Sequence, residues 1–179
     1  METVKIFYDD KLAAAVLAHN LGAMLAGIEQ KPLILCIGSD RHLLDCLGPL
    51  TGTMLQESFP GIEVIGTLQN PLHARNMVHT LEEMKPIKAG QVVIAVDASV
   101  GNQDEIGLLQ LRPGSLVPGK AMARNLPAVG DYALTGVVEL RANKSGIRNR
   151  QARLGLVYDM ARVISQAIAE CYQFKFGFQ

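Results

Sequence analysis

The sequence has no tryptophan, few aromatic residues (5%) and only three cysteines, and each shortage excludes a class of protein. Cys36, Cys46 and Cys171 form no C-x-x-C pair, so neither a disulfide framework nor a structural zinc site is expected. The 17 Lys and Arg residues balance 17 Asp and Glu residues, which leaves no basic excess for nucleic acid or a membrane surface. No apolar run reaches the length of a membrane span. We therefore expect a cytoplasmic protein with reduced thiols.

What the 179 residues do contain is an alternation of strand and helix patterns, which predicts one α/β domain over residues 1–179. The predicted strands are Val4–Tyr8, Leu33–Ile37, Ile62–Leu68, Gln91–Ala98, Ile106–Gly114 and Asp131–Ala142. The predicted helices are Lys11–Ile28, Leu47–Ser58, Pro71–Met84 and Asn149–Tyr172. Because alternating strands and helices form crossover units, we expect a mostly parallel, mixed sheet between two helical layers, a three-layer α/β/α sandwich.

The first and last helices are both amphipathic. An acidic pair, Asp9 and Asp10, precedes the first, where a signal peptide would carry basic residues, so we interpret Lys11–Ile28 as a helix capped by one of these aspartates. In the last helix the buried face is predicted to consist of Val157, Met160, Ala161, Ile164, Ile168 and Cys171.

Two aspartates follow buried strands and form the candidate site. Asp45 lies just past the Leu33–Ile37 strand, and Asp97 ends an apolar run. Sites in open parallel sheets form beyond the carboxyl ends of strands, so the two side chains would face one crevice if their strands are neighbours. Such a pair can share a proton and activate water, or it can hold a divalent metal. The structural alternatives are a helix cap for Asp45 and a turn residue for Asp97.

The loop that presents Asp45, "GSDRHLLDCLG", matches neither phosphate-loop motif, and its acidic residues would repel phosphate. An Asx turn explains Asp40. Cys46 and His42 have the elements of a thiol nucleophile, but no third residue orients them, so a small buried hydrophobe is the favoured interpretation of Cys46.

Five further residues are predicted to bind substrate. Gly38 and Ser39 would shape the cleft beside Asp45, and His73 would line it from the start of the third helix. The loop "RPGSLVPGKA" contributes Ser115 and Lys120, with an ordinary surface loop as the alternative. No H-E-x-x-H motif is present, and we expect neither a resident metal nor a cofactor.

In this order, the segments "CIGSDRHLLDCLGPLTGTML", "VVIAVDAS", "RPGSLVPGK" and "VGDYALTGVVEL" resemble the YyaC-type sporulation proteins and the related spore germination protease. More distantly, the layout is similar to that of hydrogenase maturation proteases. The resemblance implies a phosphorylase/hydrolase-like α/β/α fold and a forespore or mother-cell cytoplasm in a Firmicute. It also implies an atypical aspartic endopeptidase, with Asp45 and Asp97 as the catalytic pair and small acid-soluble spore proteins as substrates.

The chain also departs from these relatives. It is shorter than a germination protease and begins almost directly with core structure, so no removable propeptide is expected. Hydrogenase maturation proteases use a histidine ligand after the second acid, and no histidine follows Asp97 here, which disfavours nickel-guided cleavage.

Three functions therefore stay open on the sequence. The first is a sporulation-associated endopeptidase. The second is an inactive protease scaffold that binds a peptide or protein partner, and the third is a metal-dependent hydrolase using the same acids. The apolar content also leaves room for a helix-mediated homo-oligomer.

Overall fold

The computed structural model describes residues 2–84, 90–118, 126–141 and 153–177. Its strands are β1 (Val4–Phe7), β2 (Leu33–Cys36), β3 (Val64–Ile65), β4 (Val93–Gly101), β5 (Leu108–Pro113) and β6 (Tyr132–Leu140). Its helices are α1 (Ala13–Met24), α2 (Leu47–Ser58), α3 (Met77–Met84) and α4 (Leu154–Phe176). Single 3-10 turns cover Leu43–Asp45 and Gln103–Glu105.

The described strands form one sheet in the order β1-β5-β6-β4-β2-β3. The four strands β3, β2, β4 and β6 run parallel to one another, whereas β5 is antiparallel to β6 and β1 is antiparallel to β5. The predicted mostly parallel, mixed sheet is thus confirmed. It also places β2 and β4, the strands that precede and carry the two candidate aspartates, side by side.

Helices cover both faces of this sheet, so the predicted three-layer α/β/α arrangement is confirmed. On the first face, α4 packs against α1 and α2, and residues such as Ile34 and Val96 project into that core. On the opposite face, which we call the α3 face, Leu35 and Ala95 pack in a smaller core with Met77 of α3. Burial of each large aliphatic side chain is worth about 1.5–3 kcal/mol, so both cores hold the sheet in place.

Helix α4 spans 23 residues and buries the face that its periodicity predicted. The side chains of Val157, Met160, Ala161, Ile164, Ile168 and Cys171 are all buried. In the portions of the chain that are described, no helix combines the length and the apolar character that crossing a membrane requires.

The prediction that a helix starts at Pro71, capped by Asn70, was wrong, because α3 begins at Met77. Leu72 instead forms an isolated parallel bridge with Ile37, which extends the sheet beyond the end of β2. This long-range pairing holds the segment before α3 against the sheet, and a local cap signal cannot reveal it.

Other boundaries also differ. The strand predicted over Ile62–Leu68 contains only Val64 and Ile65, and α1 stops at Met24 rather than Ile28. Asp97 does not end its strand, because β6 continues to pair with β4 as far as Gly101. On its other side, however, β4 loses its partner after Val96, where β2 ends. Asp97 is therefore the first residue of β4 beyond the end of β2.

Candidate active site

The turn after β2 brings Asp45 back to the end of the sheet. Gly38 has a φ of +145°, which L side chains rarely adopt, and a Cβ atom there would lie 1.9 Å from the backbone oxygen of Asp45. The N–H of Ser39 donates to that same oxygen at 2.8 Å, and the Ser39 hydroxyl accepts from the N–H of Arg41 at 3.2 Å. The absence of a side chain at Gly38 thus allows the loop to close, and the Ser39 hydrogen bond holds the backbone of Asp45 in place.

Asp97 is half-buried, and its Oδ1 accepts the N–H of Ala98 at 2.8 Å. Burial raises the pKa of the Asp97 carboxyl to about 8, and the negative charge of Asp45 contributes to the rise, while the Ala98 N–H opposes it. A carboxyl group with this pKa is mostly protonated at neutral pH. The effect of Asp45 also shows that the two carboxyl groups lie close enough to interact.

Asp45 is half-buried as well, and burial raises its pKa. The positive charges of His42 and His73 act in the opposite direction and favour the ionised carboxylate. Because two interacting acids do not both ionise readily, the pair is best described as sharing one proton. The environment places that proton on Asp97 and the charge on Asp45.

His73 reaches this site through the bridge between Leu72 and Ile37, since the N–H of Gly38 donates to the Leu72 oxygen at 2.9 Å. The backbone N–H of His73 donates to Asn76 Oδ1 at 2.9 Å, which holds the segment before α3. Within the described residues, the buried Nδ1 of His73 has no hydrogen-bond partner. A sheet bridge, rather than the predicted helix start, therefore brings His73 close enough to Asp45 to act on its charge.

A cleft of about 340 Å³ adjoins His73 at the β3 edge of the sheet. Its lining consists of Ile65, Gln69, Asn70, Pro71, Leu72, His73, Asn76 and Thr80. Neither aspartate is among these residues, so His73 is the connection between this cleft and the carboxyl pair.

Ser115 is not brought together with the aspartates. Strand β5 is antiparallel to β6. The carboxyl end of β5 therefore lies beside the amino ends of β4 and β6, at the end of the sheet opposite the site. Ser115 is exposed there, and its backbone oxygen accepts from the Arg112 side chain at 2.9 Å. Lys120, the other residue predicted from this loop, lies outside the described residues.

The three cysteines are free and buried. Burial, followed by the charges of Asp45 and Asp40, raises the pKa of the Cys46 thiol. A raised pKa disfavours the thiolate, so the environment does not activate Cys46 as a nucleophile and agrees with its interpretation as a small buried hydrophobe.

Among the residues that the structure describes, no group of three His, Cys, Asp or Glu side chains is arranged to hold a metal ion. The ionisable groups that interact here are the two carboxyl groups and the neighbouring histidines.

The fold and the site together define an α/β/α protein with paired carboxyl groups where its parallel strand β2 ends. A family model described as "Protein of unknown function (DUF1256)" matches residues 5–167, and the chain belongs to this family. "Uncharacterized protein YyaC" of Bacillus subtilis (strain 168) is 33% identical over 166 residues, which cover 92% of this chain and 81% of that protein.

A solved structure shares the architecture at lower sequence similarity. The [NiFe] hydrogenase maturation protease HycI from Thermococcus kodakarensis KOD1 superposes with a TM-score of 0.51 and 17% identity. The match covers 83% of this chain and 98% of that one, and it shows a common fold.

Proposed function

We propose that this protein is an endopeptidase in which Asp45 and Asp97 activate a water molecule for hydrolysis of a peptide bond. The main support for this proposal is that the two acids differ. Burial and the charge of Asp45 favour the protonated form of Asp97, whereas His42 and His73 favour the ionised form of Asp45. Separation of the two protonation states is what general acid–base catalysis by a carboxyl pair requires. The fold shared with a maturation protease supports the same class of reaction.

In the proposed reaction the Asp45 carboxylate removes a proton from water as the water oxygen bonds to the peptide carbonyl carbon. The protonated Asp97 donates a hydrogen bond to the carbonyl oxygen, where negative charge develops. When the C–N bond breaks, the proton held by Asp45 passes to the leaving nitrogen. The site then returns to its starting state with one shared proton.

The biological setting belongs to the same proposal. The similarity to YyaC of Bacillus subtilis supports a role in a sporulating bacterium, in the cytoplasm of the forespore or mother cell. Small acid-soluble spore proteins are then the first substrates to test, because the sequence motifs around both acids resemble those of the germination protease.

The test is incubation of the full chain with purified small acid-soluble spore proteins, with products identified by mass spectrometry. Asp45→Asn and Asp97→Asn should each lower the cleavage rate by roughly a thousandfold or more, since each removes one half of the acid–base pair. The matched control is Asp40→Asn, an exposed aspartate in the same loop, which should retain wild-type activity.

Cleavage that persists in both Asp45→Asn and Asp97→Asn would contradict the mechanism. Saturable binding of an intact peptide, with no cleavage by the wild-type protein, would instead assign a binding role to the same fold.

A further inference from the structure

Four polar residues, one from each of four neighbouring strands, occupy one row across the sheet. Asp97 of β4 is opposite Thr135 of β6, Thr135 is opposite Gln110 of β5, and Gln110 is opposite Lys5 of β1. Residues directly opposite each other on paired strands project to the same side of a sheet. The four side chains therefore line up on a single face, and we call them the polar row.

The polar row lies on the α3 face. Side chains alternate along β4, and Ile94 and Val96 contribute to the core beneath α1, α2 and α4, whereas Ala95 contributes to the core beneath α3. Asp97 shares the side of Ala95. The preceding row on the same face, two residues nearer the amino ends of β4 and β6, contains Ala95 and Ala133. Both are buried in the core on the α3 face. The polar row thus begins where that apolar core ends.

The polar groups in this row are available to a ligand. Lys5 is exposed, and Gln110, Thr135 and Asp97 are half-buried. Within the parts of the chain that the structure describes, the side chains of Lys5, Gln110 and Thr135 have no hydrogen-bond or ion-pair partner. The partly exposed amide and hydroxyl groups of Gln110 and Thr135 can therefore donate to and accept from a ligand that lies along this row, beside the acid pair.

We propose that the polar row binds an extended peptide substrate that runs from Asp97 toward the β1 edge, with Lys5 recognising an aspartate or glutamate side chain of that peptide. The peptide as ligand rests on the proposed endopeptidase function. The hydroxyl of Thr135 and the amide of Gln110 can each donate and accept, which matches the N–H and C=O groups of a peptide backbone. The positive charge of Lys5, at the end of the row farthest from Asp97, favours a negatively charged side chain of the peptide.

The geometry also sets the position of that acidic residue. Neighbouring strands lie about 4.8 Å apart, so the three steps from Asp97 to Lys5 span about 14 Å. An extended peptide advances about 3.3–3.4 Å per residue, which places the acidic side chain about four residues from the bond that is cleaved.

The experiment measures both binding and cleavage with fluorescently labelled peptides built from Ala, Ser, Gly and Gln, with one aspartate moved through the positions around a fixed centre. Fluorescence anisotropy with the full chain at low salt should show about two- to fivefold tighter binding when the aspartate is about four residues from the centre, on one side only. Lys5→Glu should remove this preference and favour a lysine at the same peptide position.

Two kinds of variant complete the experiment. Lys31→Glu reverses an exposed lysine just before β2, a strand that lies on the other side of β4 from the polar row, and should leave the preference unchanged. Thr135→Val and Gln110→Leu should each weaken binding of all the peptides by about two- to tenfold, because each removes hydrogen bonds without altering charge. If either variant proves unstable by circular dichroism, the comparison of Lys5→Glu with Lys31→Glu still decides the matter, since both residues are exposed.

Equal affinity for every peptide, or identical behaviour of Lys5→Glu and Lys31→Glu, would overturn the assignment of the polar row. The two proposals fail in different ways. Binding that depends on Lys5, without cleavage of these peptides or of the spore proteins, would refute the endopeptidase and support the polar row. Cleavage that ignores the aspartate position would do the reverse.

Discussion

The negative charge of Asp45 raises the pKa of Asp97, although 51 residues separate them in the chain. The parallel pairing of β2 with β4 brings them together, because β2 ends beside Val96 and its following loop returns Asp45 to that point. Burial acts in the same direction on both acids, and the histidines distinguish them by favouring charge on Asp45. Asp45 and Asp97 are therefore an unequal pair, with the charge favoured on Asp45 and the proton on Asp97.

Asp97→Asn should stabilise the protein at alkaline pH. The folded state raises the pKa of Asp97 to about 8, so its protonated form favours folding and wild-type stability falls as pH rises from the unfolded value toward 8. An asparagine does not titrate, and the variant should gain about 1 kcal/mol or more over wild type at pH 9, or a Tm higher by roughly 2–4 °C per kcal/mol.

Thermal unfolding at several pH values measures this difference, which should shrink as the pH is lowered to 5. Asp40→Asn is the control, because Asp40 is exposed in the neighbouring loop. A variant that gains no stability at pH 9, or gains equally at every pH, would show that Asp97 has an ordinary pKa.

His73→Gln should move the acidic limb of the pH profile of kcat/KM to higher pH. The base in the proposed reaction is ionised Asp45, and loss of the nearby positive charge raises the pKa of that carboxyl. His42→Gln should move the limb in the same direction and further, since the charge of His42 has the larger effect.

The control for both histidines is His79→Gln. His79 is exposed on α3, where its Nε2 lies 3.5 Å from Glu83 Oε1, and its removal should leave the profile unchanged. Profiles that coincide for wild type, His42→Gln and His73→Gln would mean that Asp45 is not the base whose ionisation limits the rate at low pH.

Gly38→Ala should destabilise the protein by about 1–3 kcal/mol, because it combines a strained backbone conformation with a clash against the Asp45 backbone oxygen. Gly155→Ala is the matched control. A Cβ atom at Gly155 meets nothing within 4 Å, and alanine favours the helix, so this variant should be neutral or slightly stabilising. Chemical denaturation compares the two, and equal midpoints would exclude a structural requirement for glycine at position 38.

Much of the sheet and its helices could be predicted from sequence because their signals are local. The apolar runs of β2 and β4 and the bounds of α2 follow from burial patterns, and the alternation of elements indicates a parallel sheet. The expectation that Asp45 and Asp97 share a crevice requires β2 and β4 to be neighbours, and the pairing shows that they are.

The failures involve contacts between distant residues. Ser115 lies at the end of the sheet away from the aspartates, because β5 pairs antiparallel with β6. No local sequence pattern reports the direction of a strand. The bridge between Leu72 and Ile37 replaced the predicted helix start in the same way. The polar row was not predicted because its members are far apart in the chain. The only hint in the sequence was Thr135, a polar residue among the apolar residues of β6.

The most direct test of the unequal pair is titration of the Asp97 carboxyl by NMR in the wild-type protein and in Asp45→Asn. We expect an apparent pKa of about 8 for Asp97 in the wild type and a lower value once the charge of Asp45 is removed. A wild-type pKa near the ordinary aspartate value of about 4, or a raised pKa that Asp45→Asn leaves unchanged, would contradict it.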